Sequence, residues 1–248
     1  TVWGAESVLI DEISRCKPEH QNRLFSLVHE RRIQGLALTR LRYRWAAMNP
    51  CSADQSGSGD YTGSEPLDPA LADRFALVVE AADWLELGEG DRRRIACPSG
   101  EGRRADDGGV LAKRVALWRS EFQQRLDSAP AFILNYVTAA VTALNNGGIR
   151  VSPRRSRLLA RSLLAVSIVQ GRFDTEDFRR ILACSLPHCC WGEQPSPEAV
   201  SAAHRLAWDC AADAPRRWLH TLMAEPALAR KLAILLDAGV RQFVDLTE

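Results

Sequence analysis

Apolar residues recur at helical spacing through the second half of the chain, and this periodicity limits the fold more than any other feature of the sequence. From Val110 onward, apolar or aromatic residues fall every three or four positions, at Leu111, Val115, Trp118, Phe122 and Leu126. Residues 174–177 and 196–198 carry Asp, Thr, Ser and Pro in the order typical of helix starts. We therefore predict that the chain is helical from Val110 to its last residue.

The first part of the chain has a different pattern, in which short apolar runs alternate with helix signals. Residues 8–10 form an apolar run that suits a strand buried on both faces, as parallel strands are. Pro18 stands in the tolerated first turn of a predicted helix. Further strands are predicted at residues 31–36, 41–45 and 75–79. Residues 1–87 are therefore predicted to be α/β.

Two segments lack periodic apolar residues. Residues 51–65 are rich in Ser, Gly and Asp, which predicts a loop. Residues 88–109 are dominated by Gly, Pro, Arg and Asp, which predicts a linker or an insertion between the α/β part and the helical part.

Composition and charge narrow the class of partner. The 248 residues are 46% hydrophobic, with 32 basic and 31 acidic side chains, so no general positive field attracts nucleic acid or an anionic membrane. The arginine clusters at 92–94, 103–104 and 154–155 suggest nucleic-acid binding, but the first two stand among acidic residues. No apolar run is long enough to span a bilayer. We therefore expect neither nucleic acid nor a membrane to be bound.

The seven cysteines are odd in number and follow no paired framework, which indicates a reducing compartment, the cytoplasm. Zinc ligation is the alternative at His188-Cys189-Cys190. The spacing is too close for the usual C-x(2–4)-C pair, so buried thiols are expected there instead.

Two adjacent carboxylates, Asp11 and Glu12, follow the first predicted strand. Ligands of open parallel sheets bind at the carboxyl ends of strands. In phosphate-transferring enzymes an acid at this point holds Mg²⁺, and a neighbouring carboxylate orients the attacking water. The alternative is a solvated turn with no chemical role.

Three further polar residues extend this pattern. Asn49 follows a second strand, where its amide would hold a water or a γ-phosphate oxygen, although Asn-Pro is also a plain turn signal. Arg74 ends the stretch Leu-Ala-Asp-Arg and has the chemistry that stabilises phosphoryl charge. Arg154 follows Ser152 and Pro153 at a helix start, where a cation is unfavourable unless a phosphate compensates it. The alternative for Arg154 and its neighbour Arg155 is exposure to water.

This order of motifs resembles the MoxR-like branch of the AAA+ ATPases. Residues 8–12 resemble the Walker B strand, Asn49 the sensor-1 residue, Arg74 the arginine finger, and residues 151–154 the sensor-2 motif. The resemblance implies that residues 1–87 are the C-terminal part of the AAA+ α/β core. It also implies a helical lid over residues 110–195 and a C-terminal helical extension over 196–248.

The resemblance implies ATP and Mg²⁺ as cofactors and assigns a role to each site residue. Asp11 would hold the metal, Glu12 would polarise water, Asn49 would sense the γ-phosphate, Arg74 would reach a neighbour's ATP, and Arg154 would couple the lid to nucleotide. It also implies a homo-oligomeric ring, usually a hexamer, that remodels or matures client proteins, with von Willebrand factor A domain proteins among its partners.

The phosphate-binding loop of such an enzyme does not occur in this sequence. That loop requires G-x-x-x-x-G-K-[ST], and none of Lys17, Lys113 and Lys231 stands in such a context. One hypothesis is that the chain is the C-terminal portion of a longer ATPase, which the Thr start favours, so the chain alone is expected to be inactive. The other hypothesis is a non-catalytic, AAA+-derived subunit that binds other proteins.

Overall fold

A computed structural model describes residues 2–49, 65–99, 107–212 and 217–245 of the chain. Within these ranges, strands occur only before residue 50. Strands β1 to β4 are Ser7–Ile10, Arg32–Ile33, Leu36–Ala37 and Tyr43–Ala46. Helices α1 to α10 are Pro18–Phe25, Pro69–Ala72, Glu89–Ala96, Val110–Arg125, Ala131–Asn146, Pro153–Gln170, Thr175–Cys184, Pro197–Ala212, Arg217–Ala224 and Leu228–Asp245. The fold is mixed α/β and rich in helix. The predicted loop at 51–65 lies, except for Glu65, outside the described residues.

Strands β1 and β4 form a parallel pair, in which Ser7 is opposite Tyr43 and Ile10 is opposite Ala46. Their backbones stay paired beyond the strand ends, because the Ala47 amide donates to the Ile10 carbonyl at 3.0 Å. The predicted strand at residues 8–10 is confirmed. The prediction that it is buried on both faces is wrong, since Leu9 is 64% exposed and β4 is the only strand that pairs with β1 in the described residues.

A hairpin replaces the single strand predicted at residues 31–36. Strands β2 and β3 pair antiparallel around Gln34 and Gly35, which both have positive φ angles, of 51° and 81°. Two consecutive residues with positive φ are characteristic of a tight type I′ hairpin turn. The chain therefore reverses within this segment, before it reaches β4.

The strand predicted at residues 75–79 does not form. The carbonyls of Phe75 and Ala76 accept hydrogen bonds from the Arg155 guanidinium, and the Val78 amide donates to the Cys184 carbonyl at 2.7 Å. Backbone groups that a strand would pair with a neighbouring strand are thus bonded to the helical part.

The helical part has one large core, and the predicted helices α4, α6 and α7 are confirmed. Helix α5 packs most extensively against α8. Apolar residues on one face of α5 are buried at Ile133, Tyr136, Val137, Ala140 and Leu144. Four aromatic rings, those of Phe132, Phe173, Phe178 and Trp208, contact one another at one end of this core with centroid distances of 4.9 to 5.9 Å. The predicted helical periodicity therefore corresponds to a real packing face.

A second, smaller core lies in the α/β part and includes residues from both parts of the chain. Ile13 and Leu71 are buried there beside Cys190, which belongs to the helical turn His188–Trp191 after α7. The Leu67 amide donates to the Cys190 carbonyl at 2.9 Å, so the end of the predicted lid packs into the α/β part. Of the two thiols expected to be buried at this motif, that of Cys190 is buried and that of Cys189 is only partly buried.

The predicted linker at residues 88–109 contains the short helix α3, in which no residue is buried. The eight residues of α3 are held by local contacts, including salt bridges from Arg93 to Glu89 and from Arg94 to Asp91. Among the described helices, none has the length and apolar content needed to cross a membrane.

Candidate functional site

The parallel pair brings Asp11 and Glu12 to the same edge as Asn49. Asp11 and Glu12 directly follow β1, and Asn49 lies three residues beyond the end of β4. The strands run in the same direction and in register, and the Ile13 amide donates to the Ala47 carbonyl at 3.0 Å beyond their ends. The three predicted site residues therefore share the carboxyl edge of the pair, where ligands of parallel sheets bind.

The turn that carries the two carboxylates has an unusual backbone. Glu12 adopts a left-handed conformation, with φ 48° and ψ 44°, which is uncommon for a residue other than glycine. Its amide donates to Asp11 Oδ1 at 3.0 Å, and its carboxylate pairs with Arg15 at 3.1 Å. Both side chains of that ion pair are about half exposed, and such surface pairs contribute only about 0 to 1 kcal/mol. Glu12 can therefore exchange Arg15 for another partner at little cost.

The oxygen atoms at this edge suit Mg²⁺ in kind. Magnesium is usually held by one or two carboxylates, and water and substrate phosphates complete its octahedron. In the described residues there is no group of three or more His, Cys, Asp or Glu side chains that would hold a metal alone. Asp11 would supply one carboxylate to such an ion, and phosphate and water would have to supply the remaining ligands.

The predicted arginine finger, Arg74, packs onto its own chain. Its guanidinium lies over the Phe25 ring, with 4.2 Å between Cζ and the ring centroid, and Nη1 donates to the Ala70 carbonyl. Its Nε is buried without a hydrogen-bond partner in the described part of the chain. Burial, and then the nearby charge of Arg154, lower the pKa of Arg74 below its ordinary value, and Asp73 opposes this shift.

The carboxylate of Asp73 lies at the N-terminus of helix α6, whose own first turn contains no acidic residue. Its carboxylate accepts from Ser152 Oγ at 2.8 Å and from Arg155 Nε at 3.2 Å, and lies 3.8 Å from Arg154 Nη1. A negative charge is favourable at a helix N-terminus. Asp73 therefore supplies the negative charge at the start of α6 that the sequence analysis expected from a nucleotide phosphate.

Arg155, rather than Arg154, makes the main contact between the α/β part and the helical part. It is 1% exposed, and its guanidinium donates to the carbonyls of Ala72 at 3.0 Å, Phe75 at 2.6 Å and Ala76 at 3.1 Å. Burial lowers the pKa of Arg155, and the Asp73 carboxylate acts in the opposite direction. We name this arrangement of Asp73, Ser152, Arg154 and Arg155 the Asp73 junction.

The sequence contained a signal that identifies Arg155. Arg155, Leu159 and Leu163 follow one another at intervals of four residues, so they share a helix face, and both leucines are fully buried. An arginine in line with two core leucines predicts a buried guanidinium. The side chain of Arg154 points to a different face and is 43% exposed.

A cleft of about 810 Å³ opens beside the Asp73 junction. It is bordered by α2, by the turn from α5 to α6, and by the segment around His188–Trp191. Arg150, His188 and Glu193 supply polar groups to its wall. Asp11, Glu12 and Asn49 do not line this cleft, so it is separate from the strand-edge residues.

Searches against protein-family models, curated proteins and solved structures found no match for this chain.

Proposed function

We propose that the chain is a portion of an AAA+ ATPase of the MoxR-like branch, which hydrolyses ATP with Mg²⁺ between the subunits of a ring. The observation that supports this best is the parallel register of β1 and β4, which sets Asp11 and Glu12 beside Asn49 at one strand edge. A metal-binding carboxylate, a second carboxylate and an amide are the groups that phosphoryl transfer to water requires at such an edge.

Each strand-edge residue has a chemical role in this proposal. Asp11 holds Mg²⁺, which neutralises the developing charge on the phosphates when it is bound. Glu12 leaves its weak surface pair with Arg15 and orients the attacking water. Asn49 bonds the γ-phosphate or the water through its side-chain amide.

The arginines connect the nucleotide to the ring and to the lid. Arg74 would leave Phe25 to reach the ATP of a neighbouring subunit, and Arg154 would exchange the long contact with Asp73 for a phosphate. The proposed assembly is a homo-oligomeric ring, usually a hexamer, whose clients are proteins, including von Willebrand factor A domain proteins. A phosphate-binding loop is absent from the 248 residues, so the proposal requires one from outside this segment.

A second candidate function is a non-catalytic subunit that binds other proteins. The engagement of Arg74 with Phe25 favours it, because a guanidinium stacked within its own chain is not presented to a neighbour. Exposed apolar residues on α10 also favour it, and they are Leu228, Leu232, Leu235 and Leu236. In this case Glu12 would have no role in turnover.

Steady-state ATP hydrolysis separates the two functions. The assay uses the polypeptide that includes the coding sequence upstream of Thr1, and compares Glu12→Gln with the control Glu19→Gln, an exposed acid on α1. Loss of a positioned base or water-orienting group typically costs about 10² to 10⁴ in rate, so Glu12→Gln is expected to lose at least about 100-fold in kcat and to keep ATP affinity. No ATP turnover by the unsubstituted polypeptide would leave the non-catalytic function, whereas equal turnover by the two variants would remove Glu12 from the proposed site.

A further inference from the structure

The cleft beside the Asp73 junction contains a buried histidine that lacks a partner. His188 lines the cleft and is 5% exposed, and its Nδ1 is buried without a hydrogen-bond partner in the part of the chain that the structure describes. Buried polar groups of folded proteins are nearly always hydrogen-bonded. This nitrogen in the cleft wall can therefore accept a hydrogen bond from a group that the described residues do not supply.

The protonation state of His188 limits what that group is. Burial is the main cause that lowers the pKa of His188 below its ordinary value, and the charge of Arg155 lowers it further. The charge of Glu193 and a hydrogen bond to the Arg150 backbone act in the opposite direction. The ring is therefore mainly neutral at pH 7, and a neutral imidazole has one nitrogen that accepts a hydrogen bond. A ligand with an N–H donor suits this nitrogen.

Two charges of opposite sign at the cleft have no ion-pair partner among the described residues. The charges of Asp73 and Arg155 neutralise each other. Arg150 and Glu193 take part in none of the salt bridges of the described chain, and both are exposed at the cleft. The cleft thus offers one cation for a carboxylate and one carboxylate for an ammonium group.

The turn that carries Arg150 is held in place. Asn145 donates to the Val151 carbonyl at 3.3 Å and accepts from the Val151 amide at 3.2 Å, and its Nδ2 also donates to the Val141 carbonyl at 2.9 Å. The cleft wall also carries the ring of Trp191, whose centroid is 5.0 Å from that of His188. Leu186 and Pro187 add apolar surface beside it. An apolar wall with a few placed polar groups is the usual make-up of a small-molecule site, and about 810 Å³ falls in the usual size range.

We propose that this cleft binds a small zwitterion, an amino acid or a dipeptide with apolar side chains. The ligand's carboxylate pairs with Arg150, its ammonium group bonds to Glu193 and to His188 Nδ1, and its side chain packs against Trp191 and Leu186. None of the strand-edge residues lines this cleft, so the proposal does not require Asp11, Glu12 or Asn49 to act in ATP hydrolysis, although Asp73, the partner of Arg154, lies in the cleft wall.

Calorimetric titration with three matched peptides tests the proposal. The probes are leucyl-leucine, its C-terminal amide, which lacks the carboxylate, and its N-acetyl derivative, which lacks the ammonium group. We expect one leucyl-leucine to bind per chain. Each blocked peptide should bind at least about 10-fold more weakly than leucyl-leucine, since a hydrogen bond to a charged group is lost in each case.

Two exposed substitutions assign the charges without disturbing the core. Arg150→Gln should remove the difference between leucyl-leucine and its amide, and Glu193→Gln should remove the difference between leucyl-leucine and its N-acetyl form. The control Arg157→Gln, an exposed arginine on α6 outside the cleft, should keep both differences. Absence of saturable binding by leucyl-leucine, equal binding of the three peptides to the parent chain, or differences that persist in Arg150→Gln and Glu193→Gln would overturn the proposal.

Discussion

Replacement of Arg155 by methionine should destabilise the protein far more than the same replacement at Arg154. Arg155 is fully buried, and its guanidinium pairs with Asp73 and donates to three backbone carbonyls. Methionine fills a similar volume and donates no hydrogen bond. The change therefore leaves those carbonyls and the Asp73 carboxylate without their main donor.

The size of the effect follows from these contacts. Removal of one partner from a buried ion pair costs about 3 to 5 kcal/mol, since the other charge stays buried. Asp73 is 19% exposed and keeps the Ser152 hydroxyl, which places Arg155→Met near the lower limit, at about 3 kcal/mol. Arg154 is 43% exposed and lies 3.8 Å from Asp73, so Arg154→Met should cost about 0 to 1 kcal/mol.

Urea unfolding followed by far-UV circular dichroism measures both variants. With a typical urea dependence of about 1 to 3 kcal/mol per molar, Arg155→Met should lower the midpoint by about 1 to 3 M, and Arg154→Met should lower it only slightly. A stability of Arg155→Met within about 1 kcal/mol of the parent chain would refute the assignment of Arg155 as the contact between the two parts. Equal losses in the two variants would refute it as well.

Three further predictions concern the helical core and use the same unfolding assay. The His204 ring is hydrogen-bonded to Tyr136 Oη at 2.8 Å and to Thr175 Oγ1 at 3.1 Å. Burial is the main cause that lowers the pKa of His204, and the charge of Arg179 lowers it further. Below about pH 6.5 the unfolded chain then binds more protons than the folded one, so the stability of the fold should decrease as the pH is lowered from about 6.5. An equally steep decrease in the His204→Gln variant would exclude this histidine as the cause. Tyr136→Phe should cost about 1 to 3 kcal/mol because it leaves a buried nitrogen unpaired, and a neutral result would show that the hydrogen bond contributes nothing net. Gly171→Ala should cost about 1 to 2 kcal/mol because this residue ends α6 at φ 70°, and full stability would show that the helix end adjusts.

The helices of the second half could be predicted from the sequence because their signals are local. Ser152 and Asp174 accept hydrogen bonds from the first-turn amides of α6 and α7, as their positions in the sequence predicted. The strand predicted at residues 75–79 was wrong, because the backbone there is bonded to Arg155 and Cys184, which lie far away in the sequence. A short apolar run contains no information on such distant partners.

The candidate site was predicted in part for the same reason. Asp11 and Asn49 lie at the same edge because parallel strands align their carboxyl ends, which is a general rule and requires no distant contact. The Asp73 junction depends on the packing of α6 against the α/β part, and only the alignment of Arg155 with two buried leucines indicated it beforehand. The cleft around His188 combines residues from three elements, and no spacing in the sequence relates them.

Equilibrium binding of Mg²⁺ and ATP tests the central claim most directly. Calorimetric titrations would compare the 248-residue chain with the polypeptide that also includes the coding sequence upstream of Thr1. The proposal predicts no measurable binding to the short chain and one nucleotide per subunit in the longer one, because the motif of a phosphate-binding loop does not occur in these 248 residues. Tight binding by the short chain, or no binding by the longer polypeptide, would contradict the assignment of Asp11, Glu12 and Asn49 to an ATPase site.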